Sequence, residues 1–339
     1  MESRRTETIV EFEGVNISKD INKDLLSITY TDNEEDKADD IQLSLSDTEG
    51  HWIKWLAQKS KGATIRVLIM QKNWNSDGKS KLLDCGTFEL DTIDVSGPPT
   101  LINLKGTSIP YKSTLRSQKK SRAWENTGLE NIAKDISKKN GLKCFFDSKH
   151  NPRYARKEQV NQSDIAFLKT LCKSAGVSLK VASNAVIMFD AAEYESKDAV
   201  RSIQSGKTDV LSYSFSTSFN DAAYDKSHVV YTKPNGKKIE YTYKPRKPPG
   251  SGQTLEIREK VKDREEARQL AMKRLREKNK KEFTASFTLV GDVNLVAGVT
   301  VKVTGYGAFD GKYIVESATH SPIGGYTTNI KLRKVLEGY

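Results

Sequence analysis

Histidine and cysteine are scarce: 4 and 3 residues respectively in a chain of 339, and they do not cluster. Cys85, Cys144 and Cys172 are widely spaced and odd in number, which excludes a disulfide framework and suits a reducing compartment. They read as small buried apolar residues. His51, His150, His228 and His320 form no His or Cys pair at a zinc-ligand spacing, so no metal is expected. Cys144 and His150 alone are near neighbours, and His150 reads as a loop residue. The acidic group Glu34, Glu35, Asp36, Asp39 and Asp40 lacks the glycine and spacing of a calcium loop and reads as a solvated turn before a strand.

Long apolar runs are missing as well. Met1 to Glu13 is polar, without the core of a signal peptide, and no later segment approaches a membrane span. The expectation is a chain made in the cytosol and not inserted into a membrane. Catalytic motifs are equally scarce. Gly206-Lys207-Thr208 resembles the end of a phosphate-binding loop, but the earlier glycine would stand where Arg201 is, and strand-like Val210 to Phe219 follows instead of a helix. No Gly-x-Ser-x-Gly elbow and no Cys/His nucleophile pair occur. The 44 acidic residues allow a carboxylate pair to form on folding, but no motif marks one. No catalytic residue and no cofactor are assigned.

What is present points to an ordered protein of two or three domains: 36% hydrophobic and 29% charged residues, with only 9 prolines. A net charge of +11 suits a polyanionic partner such as nucleic acid. The basic residues are nevertheless dispersed, and the densest runs, Arg116 to Arg122 and Arg274 to Lys281, read as solvated faces.

The hydropathy pattern changes twice along the chain. Asp40 to Ser46, Thr64 to Met70 and Lys81 to Asp91 read as strands, with a turn at Asn75 to Gly78 and a short helix at His51 to Lys59. Leu129, Ile132, Ala133 and Ile136 then recur at helical spacing before Gly141. A second helix, Asp164 to Ser174, takes Ser163 as its N-cap and ends at Gly176. Apolar runs follow each helix, so this part is a small α/β segment. Strand patterns return in Leu211 to Phe219, Val229 to Thr232 and Ile239 to Tyr243, followed by a Pro/Gly loop, Lys244 to Gln253, and a charged helix, Asp263 to Lys280. Tyr224, Tyr231, Tyr241 and Tyr243 beside lysines suit either a stacking surface or cross-strand packing, and packing is preferred. The expected organisation is a β domain at 1–118, an α/β insertion at 119–204, and a second β domain at 205–339 carrying the charged helix near 263–280.

Three blocks of the first β region recur in the last, in order. Gly62-Ala63-Thr64-Ile65-Arg66-Val67 matches Gly298-Val299-Thr300-Val301-Lys302-Val303, and Gly86-Thr87-Phe88-Glu89-Leu90-Asp91-Thr92 matches Gly311-Lys312-Tyr313-Ile314-Val315-Glu316-Ser317. Asn103-Leu104-Lys105 matches Asn329-Ile330-Lys331. Any two strands share alternation; common order is what suggests duplication of a β-barrel or sandwich. Gly62, Thr64, Gly86 and Phe88, with Gly298, Thr300, Gly311 and Tyr313, mark the repeat. The fold class read from this is mainly β with an α/β insertion, two β-barrel domains being related by duplication.

Several segments resemble the late control D family of phage tail proteins, related to the hub of contractile tails and to the N-terminal part of type VI spike proteins. They are Ala38 to Asp47, Gly86 to Asp91, Gly97-Pro98-Pro99, Gln162 to Leu168 leading through Leu171 and Gly176 to Val186-Ile187-Met188-Phe189, Ala297 to Val303, Phe309 to Tyr313, and Thr319-His320-Ser321. The resemblance implies a homotrimeric ring with two tube-like barrels per subunit, adapting a hexameric tail tube protein to a trimeric spike or needle protein among other baseplate proteins. Its implied setting is a virion or related injection particle, assembled in the bacterial cytoplasm. The chain ends at Tyr339, soon after the second barrel, so puncturing is expected to belong to a partner. A tail-associated cell-wall hydrolase and a basic nucleic-acid-binding protein are the alternatives.

Overall fold

The computed structural model describes residues 3–35, 37–57, 62–74, 78–109, 114–182 and 184–339. Parts of three sequence expectations, Asp36 of the acidic turn, Gln58 and Lys59 of the first helix and Asn75 to Asp77 of the hairpin turn, lie outside them.

The N-terminal part comprises β1 (Arg5–Phe12), β2 (Val15–Asn16), α1 (Ser18–Ile21), β3 (Leu25–Asn33), β4 (Asp40–Ser46), α2 (His51–Ala57), β5 (Thr64–Lys72), β6 (Ser80–Ser96) and β7 (Leu101–Thr107). In β5 every second residue, Ile65, Val67 and Ile69, is buried, as the two-residue period of a one-sided sheet requires. Ile41, Leu43 and Leu45 of β4 do the same, and Trp52 and Leu56 of α2 close one end of the core. Asp47 orients α2, its carboxylate accepting from the amides of Trp52 (3.0 Å) and Ile53 (2.9 Å).

The middle part comprises β8 (Lys119–Gly128), α3 (Leu129–Lys139), β9 (Lys143–Asp147), β10 (Arg153–Ser163), α4 (Asp164–Ala175), β11 (Ser178–Ala182) and β12 (Ala185–Phe189). Ser163 caps α4 by accepting from the amide of Ala166, and Gly176 ends it at φ +65°. Strands β11, β12 and β9 form a small sheet against α3 and α4. The antiparallel ribbon β8·β10 was not foreseen. Its strands are rich in Lys, Arg and Glu and largely exposed, so no clean apolar alternation marks them; ion pairs such as Arg156–Glu125 (2.8 Å) bridge them instead.

The C-terminal part comprises α5 (Ala191–Ser196), β13 (Arg201–Gln204), β14 (Val210–Thr217), β15 (Lys226–Thr232), β16 (Lys238–Tyr243), β17 (Thr254–Ile257), α6 (Arg264–Asn279), β18 (Phe283–Val290), β19 (Thr300–Thr304), β20 (Gly311–Ser321) and β21 (Thr327–Lys334). Asp263 caps α6 at the amide of Glu266 (2.8 Å), and the helix buries Ala267, Ala271 and Leu275. The first two pack on the β16-β15-β17 sheet. Tyr231, Tyr241 and Tyr243 pack against that small core, in keeping with the cross-strand reading.

One 13-stranded sheet joins the N-terminal and C-terminal parts, in the order β14-β18-β21-β20-β3-β4-β7-β6-β5-β1-β2, with β19 on β20 and β13 on β19. The sheet curls around two separate cores, one holding Ile65 and Phe88, the other Val301 and Tyr313. The result is a mainly β protein with an α/β insertion. The two cores meet where Gly291 runs beside Tyr326. Gln71 Nε2 donates to the Gly291 carbonyl (2.8 Å), and a Cβ on Gly291 would lie 2.2 Å from the Tyr326 ring. Gly291→Ala is therefore expected to destabilise by about 1–3 kcal/mol through overpacking, read as a lower midpoint of thermal unfolding.

Candidate assembly site at the seam of the two halves

The repeat residues occupy equivalent positions in two hairpins. In the first, Ile65 lies opposite Phe88 in β5·β6; in the second, Val301 lies opposite Tyr313 in β19·β20. The partners continue alike. Thr92 faces Lys105 and Ile93 faces Leu104, while Ser317 faces Lys331 and Ala318 faces Ile330. Each ladder slips at the same place, between Leu90 and Thr92 in one and between Val315 and Ser317 in the other.

The equivalence reaches further than the three sequence blocks. Leu43 faces Leu104 as Phe287 faces Ile330, so β4 corresponds to β18. Ile28 then faces Leu43 as Tyr213 faces Phe287, so β3 corresponds to β14, with slips at Leu25/Ser27 and Val210/Ser212. These two strands share too little sequence for the repeat to be read from them.

Among the marker residues, Phe88 and Tyr313 are core side chains, and the Tyr313 hydroxyl donates to the Phe309 carbonyl (2.8 Å). Thr64 is half-buried beside Glu13, whereas Thr300 is buried with its hydroxyl 2.9 Å from the Lys197 carbonyl. Gly62, Gly86 and Gly298 adopt φ of +86°, +90° and +83°, which explains the residue type at these turns; Gly311 lies at +150°. The structure brings the markers together within each hairpin, while the two hairpins belong to separate cores.

The halves meet where β20, beyond its bulge, leaves β19 and pairs with β3: Ser317 opposite Asn33, Ala318 opposite Asp32, Thr319 opposite Thr31 and His320 opposite Tyr30. The Thr31 and Thr319 Oγ1 atoms are 3.4 Å apart. The His320 ring stacks on Tyr30 at 5.9 Å between centroids. Its Nε2 faces the Leu295 carbonyl at 3.0 Å and must donate to it, so Nδ1 accepts from the Tyr326 hydroxyl at 2.8 Å. Burial holds the imidazole neutral and lowers its pKa to about 4.

Buried charge surrounds the seam, and the expectation of a solvated acidic turn is corrected here. Glu34 and Asp39 are buried because each meets a cation from another part of the chain. Glu34 reaches Arg333 Nη2 (3.4 Å); Arg333, 1% exposed, also donates to Glu195 (2.5 Å), which in turn accepts from Arg276 (2.6 Å). Lys180 of the α/β segment bridges Asp32 and Asp39. Burial raises Glu34 and Asp39 to about 7 against the pull of these cations. For Glu195 burial also acts upward, but Arg276 and Arg333 outweigh it and the pKa is lowered. Sequence reading missed these groups because their partners lie far apart along the chain.

The basic runs are largely engaged. Lys120 and Arg122 bind buried Asp164, Arg274 binds Glu259 (2.7 Å), and Lys278 binds Asp221 (2.8 Å). A cleft lined by Lys169, Lys173, Asp190, Lys273 and Arg276 lies beside α6. There burial lowers Lys273 to about 8, with its Nζ 2.8 Å from His150 Nε2. His150 is half-buried in this contact rather than free on a loop. Cys85 and Cys172 are buried as expected, and Cys144 is partly exposed.

This architecture is that of phage tail proteins. A 43 kDa tail protein of prophage MuSo2 from Shewanella oneidensis aligns over 97% of this chain and 98% of its own (TM-score 0.72, 16% identity). A tail protein from Neisseria meningitidis aligns over 97% of both chains (TM-score 0.72, 12% identity). The phage tail baseplate hub (GPD) family matches residues 110–322, and the chain belongs to that family. The probable baseplate hub protein of Escherichia phage 186 is 27% identical over 176 residues, covering 52% of this chain and 42% of the relative. That of Escherichia phage P2 is 26% identical over 178 residues, covering 52% and 43%. The chain thus matches less than half the length of either relative.

Two outcomes test the seam. Arg333→Met leaves Glu34 and Glu195 short of a buried partner and is expected to cost about 3–5 kcal/mol, seen as a lower unfolding midpoint. His320 has a folded pKa of about 4 against 6.5 in the unfolded chain, so its contribution is present above pH 6.5 and is lost as pH falls toward 4. Between those values the unfolding midpoint of the native chain is expected to fall more steeply than that of His320→Gln. Glu34 and Asp39 act in the opposite sense in both proteins and drop out of the difference.

Proposed function

We propose that the chain is a non-enzymatic hub subunit of a contractile tail baseplate, working as a homotrimeric ring that adapts a hexameric tail tube to a trimeric spike. The observation that carries this reading is the common strand register of the two halves. Symmetry dictates equal numbers of contact surfaces at a junction between rings, and two similar units per chain give six in a trimer. Membership of the baseplate hub family supports the setting.

The fold also recurs in injection machines. An E. coli component of the type VI secretion system, similar in structure to T4 tail proteins gp27 and gp5, aligns over 93% of this chain (TM-score 0.55, 12% identity). A Francisella PdpA–VgrG complex holds a further neighbour (TM-score 0.56, 11% identity). On this reading the partners are the tube, the spike and other baseplate proteins, in a virion or related particle. Residues 1–118 and 205–339 supply the two ring units, the latter joined by β13 (Arg201–Gln204) on β19, and the rest of 119–204 a peripheral α/β unit. Gly62, Thr64, Gly86 and Phe88, with Gly298, Thr300, Gly311 and Tyr313, act as turn and core residues of the duplicated hairpin rather than as a binding site. The pairing of the basic runs with carboxylates argues against the nucleic-acid alternative.

Light scattering on the purified chain, alone and mixed with tube and spike proteins, tests the proposal. A mass of three chains, alone or induced by the spike, is the expected result. A monomer indifferent to both partners, or release of soluble fragments from peptidoglycan, would overturn it.

A further inference from the structure

Two lysines in the cleft beside α6 lack the carboxylate partners that their neighbours have. The cleft, of about 470 Å³, is walled by α4 of the α/β segment, by α5 and by α6 of the C-terminal part. Arg276 is taken up by Glu195 (2.6 Å), and Lys280 by Glu35 and Glu277 (3.5 Å each). Lys173, exposed, and Lys273, half-buried, form no ion pair among the described residues.

Lys273 is the sharper case. Its stem crosses Gly176, where a Cβ would come within 2.9 Å of Cγ and Cδ, so the left-handed glycine that ends α4 also makes room for this side chain. An ammonium has no acceptor, so Nζ donates to His150 Nε2 at 2.8 Å, one basic group against another. Burial pulls its pKa down, and the attraction of Asp190 opposes that only in part. Asp190 is itself occupied, accepting from the Ser148 hydroxyl (2.8 Å) and the Lys149 amide (3.1 Å). A half-buried ammonium, held in place without a carboxylate against it, is a group suited to an anion from outside the chain.

We propose that this cleft binds one compact oxyanion, a carboxylate or a tetrahedral group of the sulfate or phosphate kind, between Lys273 and Lys173. Glu35, Asp190, Glu193 and Glu277 line the same cleft and would repel a run of phosphates, so a single anion fits and a nucleic-acid strand does not. Val177, Leu179 and Ala191 give the rest of a small ligand an apolar backing, and the volume is that of a small-molecule pocket. Lysine acts as a point charge and does not select between planar and tetrahedral oxyanions, so the two sources are separated by measurement. The site goes beyond the assembly role and does not depend on a ring being formed.

Calorimetric titration of the full chain at neutral pH, with sodium sulfate and separately with N-acetylglutamate, tests the proposal. Saturable binding of at least one probe is expected. Affinity should drop by about tenfold or more in Lys273→Met and fall also in Lys173→Met. It should stay unchanged in Lys237→Gln, which alters an exposed lysine of the β15·β16 turn. Binding of sulfate alone would assign a tetrahedral ligand, and binding of N-acetylglutamate alone a carboxylate. Without ligand, Lys273→Met is expected to keep or raise the unfolding midpoint, because it removes a desolvated charge, so loss of binding is separable from loss of fold. No saturable binding of either probe, or equal affinity in the native chain and both methionine variants, would overturn the proposal.

Discussion

The structure depends on a single irregularity in a strand. At the bulge between Val315 and Ser317, β20 turns away from β19 and offers its edge to β3. A regular strand would have stayed with its hairpin partner along its whole length, and each half would have kept its edges to itself. The extra residue bends the strand and re-aims its hydrogen-bonding groups, so one sheet runs through both halves. The four-residue ladder that follows is short, and burial of Tyr30, His320 and Tyr326 around it supplies the packing that backbone bonds alone do not.

The charges around the seam have a second effect. Arg333, Glu34, Glu195 and Arg276 come from β21, the segment after β3, α5 and α6, and Lys180 carries the α/β segment onto Asp32 and Asp39. Desolvating so many ions is costly, and apolar residues of the same volume would hold these elements together at least as well. An ionic cluster accepts only one arrangement of its partners, because a slipped register would leave a buried charge unpaired. The consequence for assembly is that the relative orientation of the two β units is set within the chain.

Duplication and divergence act on different residues. Register, bulges and core positions are common to both halves, while β1 runs antiparallel to β5 and β13 runs parallel to β19. The sheet centres, where neighbours face each other in the same way, are alike; the outer strands, where the halves meet different surroundings, differ.

Strands β4, β5 and β6 of the N-terminal core, both capped helices of the α/β segment and the three repeat blocks were legible in the sequence, whereas β1 and β3 were not. Each rests on local signals: alternation in Ile65, Val67 and Ile69, a cap at Ser163, a left-handed glycine at Gly176. The membership of the baseplate hub family was legible as well, through segments such as Gln162 to Leu168. Three further features were not. The β8·β10 ribbon is too polar to show a period, the correspondence of β3 with β14 survives in register rather than in residue type, and Glu34 and Asp39 look like solvent-facing acids until Arg333 and Lys180 arrive from distant positions. Sequence determined the elements, because their signals lie within a few residues of one another. Only the tertiary structure decided the seam, because its partners are brought together by a bulge and by burial, and neither leaves a mark that can be read along the chain.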